Sequence, residues 1–295
     1  MMHSELSILF GRPWQGPTLD DRFHYEADAA EALGIESWAI PLDPVVNLAP
    51  ERALWHLPPG CGRQWVYRGW MISGEEYEGL YEAILDRGDV LVTHPDEFVA
   101  ATYMPEYLPC LGDRTAPSRW TYGEDLDEAW LLALSLGEGP WIIKDHVKSA
   151  KEHWHQACFV PRSVDEETFK TMCQALIDIR GDRFEGGIVI RKYLDLVRLP
   201  YASVSGPTHE EHRLVFWQGE LVAHAPYFDG VEMSTLDPDD FAWIGDAIES
   251  PFFIADVARL ASGGWTVIEI NDGGCAILPD QMDPREMYQA MLDSI

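Results

Sequence analysis

Lysine is scarce in this 295-residue chain: five stand against sixteen arginines, and all five lie between Lys144 and Lys192. Positive charge is thin throughout, with 21 Lys and Arg facing 50 Asp and Glu, a formal net charge of −29. That balance excludes a general binder of nucleic acid or of anionic membranes, because phosphate surfaces need a basic face. Cysteine is sparse as well. Cys61, Cys110, Cys158, Cys173 and Cys275 are odd in number, scattered, and without a Cys-x-x-Cys pair. This argues against a disulfide framework or a structural zinc and for reduced thiols in the cytoplasm. No apolar run approaches the ~20 residues of a membrane span. The segment Met1 to Leu6 lacks the basic start and apolar run of a signal peptide. Also missing are a Gly-x-Ser-x-Gly elbow, a Walker-type phosphate loop and a dinucleotide Gly-x-Gly-x-x-Gly. A nucleotide site in this chain must therefore clamp phosphates with lysines and lid backbone.

What is present is a globular composition, 46% apolar and 24% charged, on a chain long enough for two or three subdomains around one site. Residues 1–110 alternate strands and helices, which predicts an α/β subdomain with a largely parallel sheet on the substrate side. Within it Ser7–Phe10, Ser37–Leu42, Gln64–Arg68 and Val90–Thr93 read as strands, and Asp21–Leu33 and Glu75–Asp86 as helices stopped by Gly34 and Gly88. Arg12 and Arg68 lie at or beyond strand ends and are candidates for a substrate carboxylate, although an exposed arginine is commonly plain surface. Residues 111–139 form a connecting region with a helix near Leu126–Leu136. Residues 140–200 read as strand, polar loop (His146 to Gln156), strand, helix and strand, a small α+β unit that holds every lysine. Residues 201–295 turn antiparallel: 212–217 and 220–225 flank the hairpin turn Gln218-Gly219. That turn sets Arg213 opposite His224.

The last hairpin carries the sharpest chemistry. Phe252–Ala258 and Thr266–Asn271 flank Ser262-Gly263-Gly264, and a turn centred on Ser262 and Gly263 sets Asp256 directly opposite Glu269. Asp256, Glu269 and Asn271 then share one face, three oxygen ligands suited to magnesium. A sheet edge with incidental acids fits the same residues. Lys144, Lys148 and Lys151 fall within eight residues. A chain that otherwise uses arginine and turns to lysine here suggests compact ammonium groups for a polyphosphate with its metal, with chance clustering on a solvated face as the alternative. The histidines are weaker. His209 and His212 do not have the His-Glu-x-x-His spacing of a zinc helix.

The order of these features resembles the ATP-grasp superfamily: a strand lysine (Lys144), a polar lid loop, a strand ending in a hinge (Ile190-Arg191-Lys192-Tyr193), an arginine-bearing hairpin (Glu211 to Phe216), then Asp256 and Glu269-x-Asn271. Trp141 to Ser149 looks like the lysine-rich lid of an amidoligase-like branch. The likeness covers about the last two thirds of the chain. It implies an ATP-grasp fold, α/β and α+β, with an N-terminal α/β subdomain, a small central lid subdomain and a C-terminal antiparallel-sheet subdomain carrying the Mg²⁺ site. It further implies that Lys144 contacts the α- and β-phosphates of ATP, and that Lys148, Ser149 and Lys151 close over them. The backbone of Arg191, Lys192 and Tyr193 meets the adenine, and Arg213, with Lys148 the catalytic cation, holds the γ-phosphate. Asp256, Glu269 and Asn271 hold one or two Mg²⁺ ions. Two departures stand out: the lid lacks the glycine-rich loop of many relatives, and Arg191 stands in the hinge where many have an acid.

The implied activity is an ATP-dependent carboxylate–amine ligase working through an acyl-phosphate. Backbone N–H groups of Asp272, Gly273 and Gly274 are then candidates to steady the second, tetrahedral intermediate. An ATP-binding regulatory module and a phosphotransferase that stops at phosphorylation are the competing readings. An amino acid, a peptide terminus or a protein side chain all fit as substrate, and the oligomeric state is open.

Overall fold

The computed structural model describes residues 6–13, 19–203, 206–230 and 232–294; residues 1–5, within the segment read for a signal peptide, lie outside it. The N-terminal sheet is parallel, in the order β2-β1-β3-β4, from Leu6–Arg12 (β1), Glu36–Pro41 (β2), Gln64–Arg68 (β3) and Val90–Leu91 (β4). Helices Asp21–Ala32 (α1), Leu42–Val46 (α2), Gly74–Asp86 (α3) and Pro95–Thr102 (α4) connect its strands or follow the last. Ser73 and Glu76 form a reciprocal capping box that fixes the start of α3. Gly34 and Gly88 take positive φ just beyond α1 and α3, as the sequence predicts. The segment before residue 118 holds a helix that its prolines conceal, Met104–Leu111 (α5), with Pro109 inside it.

The central sheet is antiparallel, in the order β5-β8-β6-β7. Its strands are Ser118–Trp120 (β5), Trp141–Asp145 (β6), Phe159–Val160 (β7) and Ile188–Lys192 (β8), and its helices are Leu126–Ser135 (α6), Trp154–Ala157 (α7) and Glu166–Arg180 (α8). The region between the first two sheets thus contributes β5, paired along β8 from Ser118–Arg191 to Trp120–Val189. The polar segment after β6 is ordered by one acid. Asp145 is fully buried and paired with Arg180 at 2.6 Å, and its carboxylate accepts the N–H groups of Val147 and Lys148. A buried carboxylate with such partners pins a turn where the sequence reads as a loose loop.

A two-stranded pair, Arg198–Ser203 (β9) with Gly206–His209 (β10), leads into the C-terminal sheet. That sheet runs β12-β11-β13-β14, from Glu211–Trp217 (β11), Glu220–Pro226 (β12), Phe252–Arg259 (β13) and Trp265–Asp272 (β14). Trp243–Ala247 (α9) and the terminal Pro284–Asp293 (α10) complete the chain. Among the described residues no helix is long and apolar enough to cross a membrane.

Strand alternation divides the C-terminal sheet into two faces. Phe253, Ala255 and Val257 join the core under α5 and α9. Phe252, Ile254, Val215 and Trp217 pack against Ile8, Phe10 and Val66 of the N-terminal sheet. This second face runs on, at the far end of the same strands, into Arg213 and Asp256.

The two outer sheets are also joined by a buried ion pair. Arg68 at the end of β3 is wholly inaccessible and holds Glu26 of α1 through two hydrogen bonds of 2.7 and 2.5 Å. It also donates to the carbonyls of Gly273 and Ala276, and the Tyr288 hydroxyl of α10 donates to Glu26 at 3.0 Å. Arg68→Met leaves the Glu26 charge buried and should cost about 3–5 kcal/mol, read from urea unfolding. Adding Glu26→Leu to that variant should restore much of the loss; single and double variants equally destabilised would contradict the ion-pair account.

Candidate functional site

The site lies between the central and C-terminal sheets. On β11, β13 and β14 one row crosses three strands: Arg213 pairs with Asp256, and Asp256 with Glu269. Partners in such a register point to the same side, and residues two apart share it. Asp256, Glu269 and Asn271 therefore face one way, with Asn271 opposite Ile254, as the hairpin reasoning predicts. The neighbouring expectation needs a correction. Arg213 lies opposite Ala225, and His224 opposite Leu214, because Val222 is an extra residue in a bulge between the Val215–Ala223 and Phe216–Leu221 pairs.

Facing this row, β6 turns Trp141 and Ile143 into the central core and so presents Ile142 and Lys144 to the other side. Lys144, 4% exposed, reaches Glu269 at 2.7 Å. Arg213 holds Asp256 bidentately at 2.8 and 2.7 Å and stacks 4.6 Å from the centre of the Tyr227 ring. Burial pushes the Glu269 carboxyl up, but Lys144, Lys151 and Lys148 together outweigh it and hold the acid well below its ordinary value. Five cations (Lys144, Lys148, Lys151, Arg191, Arg213) thus answer three acids (Glu211, Asp256, Glu269). In a chain with a net charge of −29, this patch of positive excess suits an anionic ligand.

Several residues singled out in the sequence line one cavity of about 170 Å³ here: Lys144, Ser149, Lys151, Arg191, Lys192 and Tyr193, with Glu269 at its floor. Trp154 and Tyr193 bracket Phe159, stacked at 5.5 Å and edge-on at 5.2 Å, an apolar end opposite the charged one. Arg191 braces the site: it donates to the Ile268 carbonyl at 2.6 Å and the Thr115 hydroxyl at 2.9 Å, tying β8 to β14 beside Glu269. Lys170 lies elsewhere, on the surface of α8, with Asp127 and Glu166.

The low-ranked substrate candidates divide. Arg12 ends β1, while the Arg68 guanidinium is enclosed in the strut already described. The Gly273 N–H donates to the Phe252 carbonyl at 3.0 Å and the Gly274 N–H to Asp272 at 2.8 Å, so neither points freely outward. The backbone here is squeezed: a Cβ on Gly273 would come within 2.5 Å of the Phe252 ring. Burial pushes Asp272 up to about 7. Sequence reading passed over Glu211, which shares the face of Arg213 two residues on; the i, i+2 spacing in a strand was the available signal. Burial pushes its carboxyl up to about 7, with Lys151 opposing and Asp256 and Glu269 adding to the rise.

Two carboxylates and one amide on one face are hard oxygen donors that suit magnesium. Among the described residues no three His, Cys, Asp or Glu side chains gather as a metal site, so a zinc-type centre has no support in them.

Residues 134–291 match the model of an ATP-grasp domain family, the third family of its clade. No functionally curated protein matches the chain by sequence. Among solved structures, D-cycloserine synthetase DcsG is 14% identical, with 98% of this chain and 99% of that chain covered and a TM-score of 0.64. D-alanyl-alanine synthetase A from Vibrio cholerae is 9% identical over 98% and 94%, with a TM-score of 0.59. The ATP-grasp ligase PsnB, complexed with a minimal precursor, Mg and ADP, is 11% identical over 97% of each chain, with a TM-score of 0.54. The common architecture is the ATP-grasp fold.

The Glu269 ion pair has a consequence for stability. Its carboxyl is held below the ordinary 4.5 in the folded protein, so its charge stabilises the fold above that pH and this contribution drains as the pH falls below it. In metal-free protein, the difference in urea midpoint between wild type and Glu269→Gln should narrow on acidification below about pH 4.5. A difference independent of pH would contradict the pairing.

Proposed function

We propose that this protein, which belongs to the ATP-grasp superfamily through the domain family that residues 134–291 match, is an ATP-dependent carboxylate–amine ligase. The observation that carries the reading is the pair of cation–acid contacts, Lys144–Glu269 and Arg213–Asp256, at the mouth of one cavity between two sheets. The names of the three solved structures agree with it, two being synthetases and one a ligase.

In this reading the apolar end of the cavity, with Trp154 and Tyr193, takes the base, and the hinge backbone of Arg191, Lys192 and Tyr193 meets the adenine. Lys144 meets the α- and β-phosphates, and Lys148, Ser149 and Lys151 close over the triphosphate. The cavity holds part of a nucleotide in this arrangement of the sheets. The rest of the triphosphate belongs where the cation–acid pairs now close, so the pairs separate as it enters. Magnesium held by Asp256, Glu269 and Asn271 supplies charge neutralisation between the triphosphate and the incoming carboxylate.

The chemistry matches the residue types. A carboxylate is a poor electrophile, and its attack on the γ-phosphorus forms an acyl-phosphate as the bond to the β-phosphate oxygen breaks and ADP leaves. A neutral amine then attacks the acyl carbon, a C–N bond forms, the C–O bond to phosphate breaks, and the amine proton leaves with the phosphate. Both reactants of the first step are anionic, so the main requirement is cationic neutralisation, which Arg213 and Lys148 supply. General-base help is secondary there, in keeping with a site that has no Ser–His pair.

A screen of ADP release against mixtures of amino acids and peptides, with mass spectrometry of products, tests the proposal. Release should require an acid and an amine together and should vanish in Glu269→Gln. Release with the acid alone would instead mark a phosphotransferase, and ATP binding without release a regulatory module.

A further inference from the structure

A second cavity, of about 180 Å³, opens between α1 and the loops that follow β12 and β14, lined among others by Arg22, Tyr227, Asp229, Ile277, Asp280 and Gln281. It is one side-chain layer from Arg213. The Arg213 guanidinium stacks on Tyr227 and donates to the Ile277 carbonyl, so two lining residues are also contacts of the arginine that the ligase reading assigns to phosphate transfer.

The charges of this cavity are mixed, and they are sorted by wall. Both acids come from the C-terminal loops that touch Arg213: Asp229 is two residues past Tyr227, and Asp280 three past Ile277. The arginine comes from the opposite wall, on α1, where Arg22 lies 5.6 Å from the centre of the Trp70 ring. Trp70 is itself tied by its indole N–H to Asp20 at 3.2 Å. Among the described residues neither the Arg22 guanidinium nor the Asp280 carboxylate has an ion-pair partner. Asp229 accepts only the N–H of Gly230, at 2.7 Å.

We infer that this cavity binds the amine substrate, and that the substrate is a small zwitterion, an α-amino acid of about the size of alanine. The assignment rests on the ligase reading through Arg213. Two aspartates against one arginine favour a ligand that brings an ammonium, and the arginine adds a place for its carboxylate. At about 30 Å³ for each water-sized group, the volume takes about six non-hydrogen atoms, which is an amino acid and not a folded partner. The sorting of charge by wall sets the orientation: the carboxylate lies towards α1 and the nitrogen towards Arg213, where the acyl-phosphate forms. The bound ammonium sheds one proton to solvent, and the neutral amine then attacks as described above. A simple amine or a simple acid satisfies one wall only and is held less well.

Calorimetry on the whole protein tests this with L- and D-alanine, propionate and ethylamine as probes, alongside the variants Arg22→Ala and Asp280→Asn. Both side chains are exposed, and unchanged ATP affinity in each variant serves as the check on folding. One alanine enantiomer should bind saturably and at least about tenfold more tightly than propionate or ethylamine, and each variant should lose at least about tenfold of that affinity. Alanine binding that both variants leave intact would overturn the assignment, as would the absence of alanine binding in protein that releases ADP with another acid–amine pair; in that second case the ligase reading stands. Alanine binding that both variants lose, in protein that never releases ADP, would support the cavity and count against the ligase reading instead.

Discussion

The Lys144–Glu269 contact, 2.7 Å across 125 residues of sequence, is the interaction on which the centre of this protein depends. It closes the central sheet on the C-terminal sheet, and with Arg213–Asp256 it neutralises two acids that face the same cavity. Removing one member of a buried pair strands the other charge at a cost of several kcal/mol. A triphosphate entering between the sheets therefore has to take the cations while a metal takes the acids. Both exchanges belong together, because either alone leaves a buried charge unanswered. On this account the pairs act as a lock that the nucleotide and its metal open jointly.

The rest of the fold serves to hold that row of side chains in place. One face of the C-terminal sheet is apolar at the end where it packs on the N-terminal sheet and charged at the other. The same strands thus anchor the site and display it. Arg68 and Glu26 join the two outer sheets from within and fix the carbonyls of the loop that follows Asn271. Arg191 does the corresponding work on the other side, bracing β8 against β14 next to Glu269. Rigid supports on both flanks leave the central cation–acid pairs as the contacts that ligand binding changes.

Much of this was legible in the sequence where a local rule governs. The Asp256–Glu269 register follows from the centre of one turn, and the helix ends follow from Ser73, Gly34 and Gly88. The ordered series from Lys144 to Asn271 pointed to the superfamily of the domain that residues 134–291 match. Local rules failed where one residue or one distant partner decided the outcome. Val222 gives no sign of its bulge, so the pairing of Arg213 came out one residue off. The helix α5 was concealed by Pro105 and Pro109, and β5 depends on β8 some seventy residues later. The burial of Arg68 depends on Glu26 and Tyr288, which no spacing links to it. The lysine cluster was informative only in part, since Lys170 belongs to the surface of α8.

The joint exchange makes a direct demand on binding energies. Calorimetric titration of the metal-free protein with ATP, with and without Mg²⁺, measures it. The account predicts that ATP binds at least about tenfold more tightly with Mg²⁺, because the acids released by Lys144 and Arg213 then have a cation of their own. Equal affinity in the two titrations would contradict it.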